Sequence, residues 1–208
     1  MLKYFQLFFL LTAVTFISCN QSSNSLNNIS KKNINKFTVA VMPYKGFDTA
    51  LLDDVQKEVE AFYTCNVIIL PACNLPENAF YAPRQRYKAD SLLLFQKQLV
   101  KDGIRSVVGF TAKDISTSTP DWGIFGLGYC PGKACVISTY CLQKASATTD
   151  QLKERLIKVV LHELGHNLGL PHCTADKECL LTDAGGTIKQ VDNERKWLCS
   201  NCTQILHQ

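Results

Sequence analysis

Apolar residues form two kinds of pattern along the chain, short continuous runs and repeats at helical spacing. Continuous runs at residues 37–43 and 67–70, each ended by a proline, predict buried strands. A helical repeat between them predicts an amphipathic helix and therefore a parallel pair of strands. Its apolar positions are Leu51, Leu52, Val55, Val59 and Phe62. A second amphipathic helix at 91–99 and a third strand at 104–110 continue the alternation.

The next segment, Trp122–Gly128, is apolar but punctuated by glycine. It predicts a strand at the edge of the sheet, where the absence of side chains lets another backbone approach. A simple hairpin with residues 134–140 is equally compatible with this segment. A long helix packed on the core is predicted next by apolar residues at helical spacing, namely Leu152, Leu156, Val159, Val160 and Leu164.

The end of this long helix carries His162, Glu163 and His166. Residues four apart lie on one face of a helix, so the two imidazoles can bind one ion about 2.0 Å from each ligating nitrogen. Glu163 is one step further round and can take a proton from a water on the metal without being a ligand, as a general base does. The competing interpretation is a buried helix whose histidines form hydrogen bonds within the core and bind no metal.

Residues after the helix supply a third ligand. Gly169 can adopt a left-handed backbone that ends the helix, and Pro171 prevents the helix from resuming before His172. Three protein ligands, with a fourth position left for water, are typical of a catalytic zinc rather than a structural one. The positions of Gly169 and His172 match the metzincin pattern and favour a zinc hydrolase over the buried-helix interpretation.

Cysteines and a pair of leucines extend this motif towards the C-terminus: Cys173, Cys179, Leu180, Leu181, Cys199 and Cys202. The extended pattern resembles the archaemetzincin (archaelysin) family, whose signature continues HExxHxxGxxH into a Cys, a second Cys, a Met two residues later and a distal CxxC. The resemblance covers residues 37–202. The chain departs from it twice, because the first gap between cysteines is one residue longer and Leu181 replaces the family Met.

The resemblance implies a zinc metallopeptidase of the metzincin type, in which a zinc-activated water and Glu163 hydrolyse a peptide bond. It implies an α/β (α+β) fold with a mixed twisted sheet of about five strands, an antiparallel edge strand that aligns the substrate, and the motif helix. Aminopeptidase-like cleavage is compatible with it. The catalytic domain would span residues 37–208, with a small Cys-rich subdomain from about residue 170.

The resemblance also implies that four thiolates hold a second, structural zinc. These belong to Cys173, Cys179, Cys199 and Cys202, and with the ion at His162, His166 and His172 they would make two zinc ions per chain. A pair of disulfides is the alternative, because an oxidising compartment favours them. Five other cysteines suggest two further disulfides and one leftover thiol, with the pairing open: Cys65, Cys73, Cys130, Cys135 and Cys141.

The N-terminal segment predicts export and anchoring. Residues 1–18 contain a short apolar run typical of a signal peptide. Residues 16–19, Phe-Ile-Ser-Cys, resemble the lipobox of bacterial lipoproteins, which implies lipidation of Cys19; a secretory signal with an incidental cysteine is the alternative. Residues 19–36 are rich in Asn, Ser and Lys and predict a flexible tether. We therefore expect a lipid-anchored protein of the bacterial cell envelope, on the periplasmic side or the cell surface.

Composition narrows the remaining classes of function. The 208 residues carry a formal net charge of +4 and include 46% hydrophobic residues, enough for one sizeable core. Without a basic run or a basic-aromatic patch, nucleic-acid binding has little support. We expect a monomer that acts on a peptide or protein substrate. Two alternatives remain: a catalytically weak or inactive zinc-binding lipoprotein that acts as a binding module, and a disulfide-stapled envelope protein.

Overall fold

The computed structural model describes residues 36–119, 121–143 and 147–208. Its strands are β1 Thr38–Pro43, β2 Asn66–Ile69, β3 Phe80–Tyr81, β4 Arg86–Lys88, β5 Ile104–Thr111, β6 Ile115–Ser116, β7 Gly126–Gly128 and β8 Ala134–Ser138. Its helices are α1 Leu52–Tyr63, α2 Ala89–Lys97, α3 Thr149–Asn167, α4 Ile188–Asn193 and α5 Ser200–Leu206.

The main sheet has five strands in the order β2-β1-β5-β8-β7. The first four strands in this order are parallel to their neighbours, and β7 is antiparallel to β8 at the edge. The parallel pairing of β1 and β2 follows from the intervening α1, which carries the chain back to the starting edge. The predicted mixed α/β sheet with an antiparallel edge strand is confirmed.

Side chains of β1 alternate between two cores. Val39 and Val41 belong to the core covered by α1 and α3, whereas Ala40 and Met42 belong to the core covered by α2. Parallel strands that are buried on both faces appear in the sequence as continuous apolar runs, which explains the absence of alternation between residues 37 and 43.

The helix α3 is the one predicted to carry the metal-binding motif. It begins with a capping box, in which the Thr148 side chain accepts a hydrogen bond from the Gln151 backbone and the Gln151 side chain accepts one from the Thr148 backbone. It ends at Asn167, and Gly169 follows with a φ of +101°, a left-handed conformation that glycine adopts without steric cost. The predicted end of the helix is confirmed, and the next residues turn back towards it.

A second sheet, with the order β3-β4-β6, was not predicted because strands of two or three residues leave no periodic signal. It corrects the prediction for Trp122–Gly128. Gly123 pairs with Ser116 beside this small sheet, and only Gly126–Gly128 pairs with β8. The prediction of one continuous strand is therefore wrong for its first half, whereas the hairpin with the following strand is confirmed.

The two disulfides suggested for the five scattered cysteines do not form. Cys73, Cys130 and Cys135 are thiols, which leaves too few partners for two bridges. Cys135 is buried on β8, Cys73 contacts Met42 through its sulfur, and Cys130 is exposed at the turn of the hairpin. The prediction rested on the number of cysteines, which says nothing about their distances, whereas a disulfide requires Cβ atoms about 3.5–4.5 Å apart.

Residues 1–35 lie outside the described residues. They include the predicted signal peptide, Cys19 and nearly all of the predicted tether. In the part of the chain that the structure describes, no helix combines the length and apolar character needed to cross a bilayer.

Candidate active site

Three histidine side chains converge where α3 ends. The ring centroids of His162 and His166 are 4.6 Å apart, and that of His172 lies 5.4 Å and 4.7 Å from them. One ring nitrogen from each histidine lies within 4.8 Å of the corresponding nitrogens of the other two. The structure thus brings together all three residues predicted to hold the catalytic zinc.

Backbone carbonyls orient two of the three rings. The Nδ1 atom of His162 is 2.7 Å from the Leu180 carbonyl oxygen, and that of His166 is 2.7 Å from the Leu170 carbonyl oxygen. This contact places the ring proton on Nδ1 and leaves Nε2 to bind a metal ion. Burial lowers the pKa of His162 to about 4 and also lowers the pKa of His166, so both rings are neutral at pH 7, the form that binds a metal.

The side chain of Glu163, a residue of α3, packs against the edge strand β7. Burial raises the pKa of its carboxyl group to about 8, and a hydrogen bond from the Gly128 backbone acts in the opposite direction. A Cβ atom on Gly126 would lie 2.7 Å from Cγ of Glu163, and one on Gly128 would lie 2.6 Å from its backbone oxygen. The absence of side chains on these glycines, predicted to allow a close approach by another backbone, therefore allows the close approach of α3.

A cavity of about 250 Å³ lies beside this group. Strand β7 lines this cavity together with Glu163 and the three histidines. Five residues between 183 and 194 complete the lining on the C-terminal side of the chain: Asp183, Ala184, Gly186, Val191 and Glu194. Asp183 and Glu194 bring two further carboxyl groups into the lining. No spacing pattern in the sequence marks either residue, since only the tertiary fold brings them to the histidines.

The four C-terminal cysteines form a second cluster. The Sγ atoms of Cys173 and Cys199 are 3.6 Å apart, those of Cys179 and Cys202 are 3.8 Å apart, and all four lie within 4.8 Å of one another. Four thiolates about 2.3 Å from a tetrahedral zinc would be about 3.8 Å apart, whereas disulfide sulfurs are about 2.05 Å apart. The donor set and its spacing fit zinc rather than two disulfides.

Hydrogen bonding and burial act differently on these thiols. A backbone hydrogen bond from Cys202 lowers the pKa of Cys199, whereas burial raises the pKa of Cys179 and of Cys202. A zinc ion binds cysteine as the thiolate, so metal binding at this cluster must release protons and depends on pH.

The segment around Leu181 connects the two clusters. Leu181 is fully buried, and its Cδ1 atom is 3.2 Å from where a Cβ on Gly165 would lie, beneath the turn of α3 between the two histidines. Its carbonyl oxygen accepts a hydrogen bond of 2.7 Å from the Cys173 backbone, and the preceding carbonyl, of Leu180, orients His162. Leucine therefore occupies a packing position at the place where the resembling family has methionine.

Asn167 fixes the end of α3 to the sheet. Its Nδ2 donates to the carbonyl oxygens of Tyr129 and Ala134 at 3.2 Å and 3.0 Å, and its Oδ1 accepts a hydrogen bond of 2.5 Å from Ser106. The residue is fully buried, and these three bonds give both polar atoms of its side chain a partner. Nothing in the spacing of the sequence distinguishes this asparagine from an exposed helix-terminal residue.

Comparisons with known proteins agree with this arrangement. Residues 43–208 match the model of Peptidase family M54. The archaemetzincin of Haloquadratum walsbyi is 28% identical over 176 residues, which cover 81% of this chain and 99% of that protein. The archaemetzincin of Nanoarchaeum equitans is 32% identical over 129 residues, which cover 62% of this chain and 67% of that protein.

Solved structures show the same fold. The crystal structure of the archaemetzincin of Methanopyrus kandleri matches with a TM-score of 0.74 and 26% identity, covering 85% of this chain and 97% of that one. The archaemetzincin of Archaeoglobus fulgidus matches with a TM-score of 0.70 and 23% identity, covering 81% and 99%.

Proposed function

This chain belongs to peptidase family M54, and from that membership we propose that it hydrolyses peptide bonds at the histidine site, with Glu163 as the general base. The protein is a zinc metallopeptidase, and its substrates are peptides or proteins. The observation that carries the assignment of residues is the convergence of three imidazoles and one carboxyl group on a single cavity.

The residues of the site have separate roles in this proposal. A zinc ion held by His162, His166 and His172 would lower the pKa of a water molecule and polarise the carbonyl group of the substrate. Glu163 accepts the proton of that water and passes it to the leaving amine.

We propose that strand β7 aligns the substrate. It forms an edge of the main sheet and lines the same cavity as Glu163. An extended peptide that added to this edge through backbone hydrogen bonds would pass the histidines. Both endopeptidase and aminopeptidase-like cleavage are compatible with such binding.

We propose that the second cluster holds a second zinc ion, which would make two per chain. Its ligands would be Cys173, Cys179, Cys199 and Cys202, with no position left for water, as in a structural site. The proposal rests on the sulfur atoms, which all lie within 4.8 Å of one another and of which two pairs, at 3.6 Å and 3.8 Å, have the spacing of ligands around a tetrahedral zinc.

Digestion of a peptide library by the purified protein, followed by mass spectrometry, tests the proposed activity. We expect cleavage that a chelator stops and added zinc restores. New termini inside the peptides would identify an endopeptidase, and stepwise loss of N-terminal residues would identify an aminopeptidase. No cleavage of any peptide by zinc-loaded protein would contradict the proposal and leave the alternative, a zinc-binding module.

We further propose that Cys19 is lipidated and anchors the protein in the bacterial cell envelope. The support is the sequence Phe-Ile-Ser-Cys at the end of an apolar run. Substitution of Cys19 by alanine should release the protein from the membrane fraction or leave an unprocessed precursor there. Wild-type protein found in the soluble fraction with an intact thiol at Cys19 would overturn the proposal.

A further inference from the structure

We propose that the cavity beside the histidines binds a cationic group of the peptide substrate, an ammonium or guanidinium, through the carboxylate of Glu194. This inference rests on the proposed function and adds the substrate class that the site selects. Three sets of observations carry it: the burial of Glu194, the contacts that hold α4 in place, and the composition of the cavity walls.

Glu194 is a buried acid with unused hydrogen-bonding capacity. The residue lines the cavity, yet it is only 4% exposed. Within the described part of the chain its Oε1 atom has no hydrogen-bond partner. A buried polar atom without a partner costs free energy, and a cationic ligand in the cavity that Glu194 lines would satisfy this one.

Two cations of α3 hold the helix that precedes Glu194. Lys158 donates to the carbonyl oxygens of Val191 and Asp192 at 3.0 Å each, and Arg155 contacts the Asp192 carboxylate at 2.7 Å and 2.8 Å. Glu194 follows directly as the C-terminal capping residue of α4. Because α3 also carries His162 and His166, one rigid element fixes both the metal-binding residues and the position of this acid.

The charged groups around Glu194 favour binding of a further cation. Burial raises its pKa to about 7, while a hydrogen bond from Gln190 and the charge of Lys158 lower it and Asp183 raises it. The Lys158 ammonium is held by two backbone carbonyls, and Asp183, which lines the same cavity, adds a second negative group. A substrate cation would therefore form a charge-assisted hydrogen bond with Glu194.

The remaining cavity lining suits a long side chain that ends in a cation. Val159 and Val191 contribute apolar side chains, and Glu194 contributes the acid. Lysine and arginine place their aliphatic stems on apolar surface while the charged end finds a polar partner. A neutral side chain of the same length would bury the carboxyl group of Glu194 further without giving it a partner. The cavity should therefore discriminate between cationic and neutral substrate side chains.

Pairs of peptides that differ only by lysine or norleucine test this inference. The pair is placed at each position around the cleaved bond, with a free or an acetylated N-terminus. For zinc-loaded wild type we expect kcat/KM to favour the cationic peptide by about 10- to 100-fold, the range for hydrogen bonds to charged groups. In Glu194→Gln this ratio should fall towards one.

The ratio separates binding from damage to the fold, because damage lowers the turnover of both peptides alike. Glu178→Gln is the matched control, since it removes the same charge from an exposed ion pair with Arg195 and should keep the wild-type ratio. Glu194→Asp keeps the charge on a shorter arm and should keep a weakened preference. It provides the comparison if the glutamine variant does not fold.

Acetylation identifies the source of the cation. A preference that survives acetylation belongs to a side chain, and one that acetylation removes belongs to the N-terminal amine. Either result supports the inference, provided that the preference depends on Glu194.

Binding of the same peptides to zinc-loaded Glu163→Gln protein, with and without the additional change Glu194→Gln, gives a measurement that does not need turnover. Selective binding without any cleavage by the wild type would refute the proposed activity alone. A wild type that shows no preference for the cationic peptide would overturn the inference about Glu194. So would a preference of the same size in the wild type and in Glu194→Gln.

Discussion

The missing side chains of Gly126 and Gly128 set how closely β7 approaches Glu163. A methyl group at position 126 would lie 2.7 Å from Cγ of Glu163, closer than real Cβ contacts, and 3.0 Å from its Oε1, which is tight. We predict that Gly126→Ala displaces the carboxyl group, lowers kcat by about 10- to 100-fold and costs about 1–3 kcal/mol of stability, with zinc content unchanged.

Steady-state kinetics, metal analysis and urea unfolding of the variant check this prediction. Gly123→Ala is the matched control, because a methyl group there would be 3.7 Å from its nearest neighbour, an Arg86 nitrogen. The control should retain wild-type kcat. A Gly126→Ala enzyme with the same kcat as wild type would show that Glu163 tolerates displacement or does not take part in the reaction.

Single residues also show which parts of the site a sequence can predict. His162, His166 and His172 were predictable because local geometry, a helix of fixed pitch and a glycine turn, brings them together. Glu194 and Asn167 were not, because their roles depend on how α4 and the β7-β8 hairpin pack against α3. Their chemistry is visible only in burial and hydrogen bonding, which no periodic pattern encodes.

At the scale of elements, α4 depends on its ionic contacts with α3. Arg155 is buried, and both of its bonds to Asp192 are shorter than 3 Å. We predict that Asp192→Asn loosens α4 and lowers the free energy of unfolding by about 1–2 kcal/mol at pH 7, because it leaves a buried guanidinium with a neutral partner.

The pH dependence of that loss provides a check. The hydrogen bond from Arg155 lowers the pKa of Asp192, so the carboxylate contributes fully above its ordinary pKa of about 3.9, and this contribution is lost as the pH falls through the lowered value. Urea unfolding should show a constant difference between wild type and variant above about pH 5 and a smaller one in acid. A difference that grows on acidification would contradict this account.

Long elements were predictable from the sequence, and short ones were not. The apolar repeats that form α1, α2 and α3 each span two turns or more, so their helical period can be recognised in the sequence. The strands β3, β4 and β6 have only two or three residues and are held partly by ion pairs such as Arg86–Asp114 at 2.9 Å. Gly123 pairs with Ser116 beside these strands, and only the second half of Trp122–Gly128 pairs with β8.

At the scale of the whole molecule, the cysteine cluster supports the histidine site. Cys173 is adjacent to His172, and its backbone bonds to Leu181 beneath α3. We predict that Cys199→Ser loses the second zinc and lowers the stability of the protein, because binding free energy at a structural zinc contributes directly to folding. The variant should also bind the catalytic zinc less tightly, since the loop that carries His172 loses its anchor.

Metal analysis and intact-mass measurement on the purified protein check the two-zinc prediction. We expect two zinc ions per wild-type chain and one or fewer in Cys199→Ser. One zinc per wild-type chain, with Cys173, Cys179, Cys199 and Cys202 recovered as disulfides, would contradict the assignment of the cluster and leave the histidine site unaffected.

The most direct test of the central claim is the hydrolysis of one cleaved peptide by zinc-loaded Glu163→Gln and wild-type protein, with zinc content measured in the same samples. Glutamine keeps the shape of glutamate but cannot accept the proton of the attacking water. We predict equal zinc content and a kcat/KM lowered by about 10²- to 10⁴-fold in the variant, the usual contribution of a general base. Equal zinc content with wild-type kcat/KM would contradict the proposed mechanism.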